Sequence, residues 1–509
     1  MQISPPEPTC GADEQVVRHA LSMENSLSET GIISISGYLP RRRLARKAIV
    51  DANRWANPAL SAMGSGHRTI CAHDEDSLTM AVEASRSCMV AAECFDAQVV
   101  QFASTTPPFT DRAASVMLTE ALSLPDTVRC ADVTGNLGSG SVALIQALES
   151  SRNTLTVASD KRMAKIASAQ ELAFGHAAVA VATGSENLIA RFIASHCTSV
   201  DFIDHYRSTG METDYFLEDR WIRDEGQMKV VPLAIEALLE KSGCAASDIH
   251  HVAIAGVSRA AMRQIAKRCG IDEATLVDPL DTECGFTGSA HALLMLCHAI
   301  EAAGPNEKVL LLNFAQGTQV LLFETTDALI DVRASSTIKS QLECGFDDQN
   351  YLRFLSFSEQ IKVDWGIRAE RDNRTSMSAF NRHRKTITAF IGGKCTKCGT
   401  RQFPKGQCCV NPDCRSFDTL VDEPFQNKIG KVKSFTEDWL AISANPPLMY
   451  GNVQFDDGGV IMMELADFEL GQLAVGTPVR FVFRIKDRDP KRNFHRYFWK
   501  AAPTNTSGE

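Results

Sequence analysis

From about residue 30, short apolar runs rich in β-branched residues alternate with longer alanine-rich runs of helical period. Ile32 to Gly37 reads as a strand, and Asp74 to Ala92 carries Leu78, Met80, Ala81, Ala84, Cys88 and Met89 in the spacing of an amphipathic helix behind an acidic start. A strand at Gln98 to Ser104, a helix at Ala113 to Leu122 and a strand near Val128 to Val133 follow. Gly138, Ser139 and Gly140 then open a helix at Ser141 to Leu148, and Thr154 to Ser159 reads as a buried strand. After a polar, aromatic stretch at Asp201 to Arg223 the alternation resumes. It gives helices at Val231 to Lys241, Arg259 to Arg268 and Ala290 to Ala303, and strands at His251 to Ala255, Lys308 to Phe314 and Thr318 to Glu324. Strands alternating with crossover helices predict an α/β fold whose sheet is covered on both faces. Two series in tandem predict a duplicated unit, with ligands at the seam between the halves.

The rest of the chain has a different texture. The expected organisation is a flexible tail at 1–29, with Met23 as an alternative start, and a duplicated domain at 30–330 with halves at about 30–195 and 225–330. A connector at 331–385 carries a helix at Tyr351 to Phe357, and 386–420 and 421–505 form two small modules. In the last of these, Gly430 to Phe435, Tyr450 to Phe455, Gly459 to Glu464 and Val479 to Phe483 read as strands joined by Asp-Gly, Gly and Thr-Pro turns, fitting a small OB-type barrel.

Within 386–420, Cys395, Cys398, Cys409 and Cys414 stand in a C-x2-C-x10-C-x4-C arrangement suited to one tetrahedral Zn²⁺. The alternative is a chance cluster of reduced thiols, and Cys408 beside Cys409 leaves the register open. With all four positions filled by protein, such a zinc is structural rather than catalytic.

A net charge of −10 over 509 residues argues against nucleic-acid and anionic-membrane partners. The exception is Arg41, Arg42, Arg43, Arg46 and Lys47, read as a solvated face or, on charge alone, as a contact for phosphates. Sixteen cysteines without a secretory segment, and no apolar run approaching ~18–20 residues, predict a cytoplasmic protein.

The segments FIGGKCTKCGTRQFP, CVNPDC, IGKVKSFT and YGNVQFDDGG resemble the zinc-ribbon and OB-fold family called DUF35, which accompanies acyl-CoA thiolases. The larger part resembles the HMG-CoA synthase branch of the thiolase superfamily, which is ketoacyl synthase III-like. The resemblance rests on GIISISGYLPRRRL, DEDSLTMAVEA, DHYR at Asp204 to Arg207 and GFTGSAHALL at Gly285 to Leu294. It implies a duplicated thiolase-like five-layer fold, followed by a zinc ribbon and an all-β barrel, and coenzyme A thioesters as substrate or ligand.

Such enzymes make or break carbon–carbon bonds beside a thioester. They use a cysteine acyl carrier at a helix N-terminus, a proton-transfer group, and a His or Asn that stabilises the oxyanion. Carried onto this chain, the cysteine falls on Leu137 in DVTGNLGSGS, the histidine on or near Ala255, the asparagine on Phe286 and the acid at about Thr105. The expected chemical groups are replaced. Cys284 and His291, flanking the glycine-rich loop, are weak replacement candidates. Asp204, His205 and Arg207 are candidates to line an acyl-CoA entrance, with a surface loop as the alternative; His176 and Cys130 read as core.

Three functions are compatible with these replacements. The first is a non-catalytic or scaffold subunit of a complex, homo- or hetero-oligomeric, whose partner thiolase supplies the acyl-cysteine. The second is a cysteine-independent aldolase or retro-Claisen enzyme. The third is an acyltransferase with a rearranged site.

Overall fold

The computed structural model describes residues 29–150, 152–330, 337–370, 374–456 and 458–504. The expected N-terminal tail, apart from residue 29, lies outside the described residues, as does part of the connector. Nine strands form one sheet: β1 (Gly31–Tyr38), β2 (Val99–Ala103), β3 (Arg129–Val133), β4 (Thr154–Lys161), β5 (His176–Gly184), β6 (Ala190–Ser199), β7 (His251–Ala255), β8 (Lys308–Phe314) and β9 (Gly317–Thr325).

The duplication is visible in the strand order. The first half runs β3-β2-β4-β5-β1, with β2 parallel to β3 and β4, and β5 antiparallel to both its neighbours. The second half repeats this as β7-β8-β9-β6, with β9 the antiparallel member. A parallel bridge from Leu276 to Val252 stands where the first half has β3. The halves join through a short antiparallel contact, Gly31 to Arg191 and Ile32 to Ala190.

Six helices complete the layers: α1 (Ser77–Ala91), α2 (Ala114–Ala121), α3 (Ser139–Leu148), α4 (Met228–Ser242), α5 (Arg259–Arg268) and α6 (His291–Ala302). The period of two along each strand sorts side chains between layers. In β5, Ala178, Ala180 and Ala182 face the outer core with α1 and α2, whereas Ala177, Val179 and Val181 face α3 and α6. In β8, Val309 and Leu311 join that central core, while Leu310, Leu312 and Phe314 pack under α4 and α5. The result is a helix–sheet–helix–sheet–helix stack with α3 and α6 in the middle.

The five basic residues at 41–47 are not a uniformly solvated face. Arg42–Ala45 is the middle strand of a three-stranded sheet, between Phe346–Asp348 of the connector and His67–Ile70. Arg43 is buried, reaches the carbonyls of Pro40 and Gln341, and is pushed down to about 10 by desolvation. Arg46 is also buried and holds the carbonyl of Asp281. The connector helix Tyr351–Phe357 forms as expected, with Tyr351, Phe354 and Leu355 against Leu44, Ile49 and Ile70.

Beyond the connector, Ile391–Cys395 pairs with Arg401–Gln402 and Leu420–Pro424 in a small antiparallel sheet. Then come β10 (Ile429–Asp438), β11 (Leu448–Phe455), β12 (Val460–Glu464), β13 (Pro478–Asp489) and β14 (Phe494–Pro503), in the order β12-β11-β10-β13-β14. A parallel bridge between Leu465, just past β12, and Ala501 of β14 brings the two edges together.

This five-stranded sheet, the expected barrel, is docked on α1. Phe481, Phe483, Trp499 and Phe455 of the barrel share one continuous apolar cluster with Leu78, Val82, Phe102 and Leu118 of the large domain. An ionic seam crosses the same contact: Asp74 with Lys500 at 2.9 Å, Glu75 with Arg484 at 3.1 Å and Glu83 with Arg480 at 3.0 Å. The Tyr497 hydroxyl donates to Asp76 at 2.6 Å, and Asp76 also caps α1 by accepting from the Thr79 amide. The acidic start of α1 serves as both helix cap and docking surface.

Candidate functional site

The position expected for the nucleophile lies where the loop after β3 meets β8 and β9. Asn136 accepts from the Gly138 amide at 2.8 Å, a local turn that leads the chain into α3. Leu137 follows Asn136 and is 7% exposed, directly before the N-terminus of α3. Asn313, on β8, donates its side-chain amide to Leu137 O at 3.4 Å and to Ser141 Oγ at 3.2 Å. Gln319, on β9, brings Oε1 to 2.9 Å from where a Cβ on Gly138 would stand, and this atom has no hydrogen-bond partner among the described residues. Ala255 pairs with Asn313 across the β7–β8 ladder and is buried. Asn313 and Gln319 were not singled out by sequence reasoning. A polar residue closing the apolar run KVLLLNF was the available signal.

The glycine-rich loop is anchored by a group that sequence reasoning also passed over. Asp160, at the end of β4, is fully buried. Its carboxylate accepts from the hydroxyls of Ser104, Thr105 and Thr106 at 3.0 Å, from the amides of Thr105 and Thr106, and from the Ser289 amide at 2.7 Å. Asp160 therefore ties the loop after β2 in the first half to the glycine-rich loop of the second. Gly288 has φ +65°, and a Cβ there would collide with Asp160 Oδ2.

Phe286 lies against the ring of His291, with centroids 4.8 Å apart. His291 is buried, sets Nδ1 3.3 Å from the Thr287 hydroxyl, and is held down to about 4 by desolvation. Cys284 is buried, points its thiol at the carbonyls of Leu280 and Gly285 at 3.3 Å, and is pushed up to about 12 by burial. Each residue of this candidate pair thus has its hydrogen-bond partners elsewhere, and such a thiol stays protonated. His176 is buried and accepts from the Cys71 amide at 2.9 Å, as a core histidine does.

Of the candidate entrance residues, His205 Nδ1 meets Asp204 at 2.8 Å while its ring stacks on Phe216, in a two-stranded ribbon of His205–Tyr206 and Tyr215–Phe216. Arg207 donates to the Thr105 carbonyl and lies 3.7 Å from Asp214, which is paired with the buried Arg162. Arg207 thus reaches the position expected for the acid. Asp204 and His205 stay on the ribbon.

The cysteine cluster is compact. The sulfurs of Cys395, Cys398, Cys409 and Cys414 all lie within 4.8 Å of one another. Cys395 and Cys414 are 3.9 Å apart and Cys398 and Cys409 are 3.5 Å apart. Zinc–sulfur bonds of ~2.3 Å in a tetrahedron set sulfurs about 3.8 Å from each other, so the donor set fits the ion. Gly399 at φ +76° closes the first knuckle, with its amide on the Cys395 carbonyl at 2.9 Å. The hydroxyls of Ser416 and Thr419 approach the Cys395 sulfur at 3.3 Å and hold it down to about 5, favouring the ligating thiolate. Cys408 is exposed and is not part of the cluster, which resolves the register.

Comparison with known proteins agrees with this architecture. The C-terminal model of the 3-oxoacyl-[acyl-carrier-protein (ACP)] synthase III family matches residues 239–321. A hydroxymethylglutaryl-CoA synthase of Caldivirga maquilingensis is 26% identical over 351 residues, covering 65% of this chain and 97% of the relative. Among solved structures, MvaS in complex with 3-hydroxy-3-methylglutaryl coenzyme A superposes with a TM-score of 0.57 at 14% identity, over 65% of this chain and 92% of that one. The 3-oxoacyl-(acyl carrier protein) synthase III FabH from Pseudomonas aeruginosa PAO1 gives 0.53 at 19% identity, over 58% and 98%. With the repeated strand order and the two central helices, these likenesses give the large domain a thiolase-like fold, similar in sequence to hydroxymethylglutaryl-CoA synthases and, over residues 239–321, to 3-oxoacyl-ACP synthase III.

Proposed function

We propose that the chain is a non-catalytic, HMG-CoA synthase-like subunit of a complex that makes or cleaves carbon–carbon bonds beside a CoA thioester. A thiolase-type partner supplies the acyl-cysteine. The observation that carries this reading is Leu137: a hydrocarbon side chain stands before the N-terminus of α3, where the helix end would otherwise activate a thiol. Cys71, Cys88, Cys284 and Cys297 are buried in the large domain with thiols pushed up by desolvation, so none is a ready substitute. An acyl-CoA ligand is supported by the HMG-CoA held by the MvaS neighbour. Asp204, His205 and Arg207 would line its entrance.

In this reading Cys395, Cys398, Cys409 and Cys414 hold one structural Zn²⁺. The strand order of the barrel, with its closing bridge, favours the DUF35-like OB type as the platform for the partner.

The test is to purify the chain alone and with a co-expressed thiolase-type subunit, then assay acetyl-CoA-dependent condensation and cleavage. Activity confined to the complex and lost with the partner's cysteine is the expected result. Turnover by the isolated chain overturns the scaffold reading.

A second reading, cysteine-independent cleavage, is favoured by one observation. The donors of Asn313 and Ser141 lie together beside Leu137, where they would stabilise an oxyanion. Cleavage by the isolated chain that falls about 100-fold in Asn313→Ala would establish it.

A further inference from the structure

A cavity of about 440 Å³ lies where the large domain, the connector and the barrel meet, and none of its lining residues belongs to the site around Leu137. Its size suits a small molecule. Arg41, Arg42 and Arg353 supply one wall. Among the described residues, Arg42 and Arg353 share a single carboxylate, Asp348, at 2.8 and 3.5 Å, and Arg41 meets only a backbone carbonyl, that of Asp467, at 2.8 Å. Three arginines thus line the cavity, two of them sharing one carboxylate.

Three of the acids that line the same cavity are already engaged. Lys500 sits between Asp74 and Glu464 at 2.9 and 2.8 Å, and Asp467 pairs with Arg484 at 2.9 Å. Glu469 is exposed at the rim. Trp439, 63% exposed, and Phe468 line the apolar part of the same cavity.

We propose that this cavity binds a phosphate monoester carried on a planar ring, of the nucleoside monophosphate class. The phosphate rests on Arg41, Arg42 and Arg353, and the ring lies against Trp439. Guanidinium forks match phosphate oxygens in pairs, and an indole face accepts a heteroaromatic ring whatever its substituents. Because residues 41–42, 353 and 439 come from different parts of the chain, the ligand recognises the docked arrangement of barrel and large domain. The same chemistry is offered by a free nucleotide and by the nucleotide end of a CoA thioester. The proposal does not depend on what the site around Leu137 does, and its failure leaves the scaffold reading untouched.

The full chain is titrated by calorimetry and tryptophan fluorescence with AMP, adenosine, inorganic phosphate and CoA. AMP is expected to bind at least about tenfold more tightly than adenosine or phosphate, because each lacks one half of the recognised group. Arg41→Gln and Arg353→Gln should each weaken AMP by about tenfold or more at an unchanged melting temperature. Trp439→Ala, at an exposed position, should also weaken AMP and abolish its fluorescence signal. CoA weakened in parallel with AMP makes the CoA nucleotide the source. CoA unaffected while AMP is lost makes it a free nucleotide. No AMP binding at millimolar concentration, or binding equal in the wild type, Arg41→Gln and Trp439→Ala, overturns the proposal.

Discussion

At Asp160, a buried carboxyl group accepts from hydroxyl and amide donors of two loops, with Arg162 beside it. Asp160→Ala would strand those donors and should destabilise the protein by about 3–5 kcal/mol, measured by urea unfolding. Gly288→Ala should cost roughly 1–3 kcal/mol on the same assay, through its positive φ and its collision with the same carboxylate. His291 gives a pH-dependent prediction. Burial lowers its folded pKa to about 4, below the unfolded value of ~6.5, so the unfolded state takes up its proton first as pH falls. The stabilisation is full above ~6.5 and lost toward 4, so the wild type should lose roughly 3 kcal/mol more than His291→Gln across that window. Urea unfolding of both proteins between those pH values checks it; parallel curves would rule the assignment out.

At the scale of elements, the strongest hydrophobic patterns were legible in sequence. His251–Ala255, Arg259–Arg268 and Lys308–Phe314 fall at their expected bounds because a run buried on both faces, or a clean helical period, leaves little choice. Ala190–Ser199 and Phe494–Pro503 were not singled out. Arg191, His196, Arg496 and Lys500 interrupt their apolar pattern; Ala190–Ser199 in addition pairs with the distant Gly317–Thr325, whereas Phe494–Pro503 forms a hairpin with the preceding Pro478–Asp489. Asp160, Asn313 and Gln319 were not legible, since their roles depend on loops that meet only in the fold. The cysteine knuckles were the most local signal of all. One zinc per chain is expected by elemental analysis, and Cys409→Ser should abolish it and lower the melting temperature.

At the scale of the whole molecule, barrel and large domain share one apolar cluster, so they should unfold together. Calorimetry should record a single transition for these two parts. Lys500→Met, which leaves Asp74 buried without its cation, should move that whole transition at a cost of about 3–5 kcal/mol. Two separate transitions, with only the smaller one shifted, would show the barrel to be an independent appendage.

The seam on α1 also has a consequence for synthesis. Asp74 and Asp76 are made early, whereas Tyr497 and Lys500, which satisfy them, follow 421 and 426 residues later. Domains usually mature from the N-terminus while translation continues. Here the outer face of the first half must wait, bare, until the strand Phe494–Pro503 has been made. A growing polypeptide of this kind is open to chaperones throughout that interval, and a premature stop before Tyr497 would leave that face uncovered.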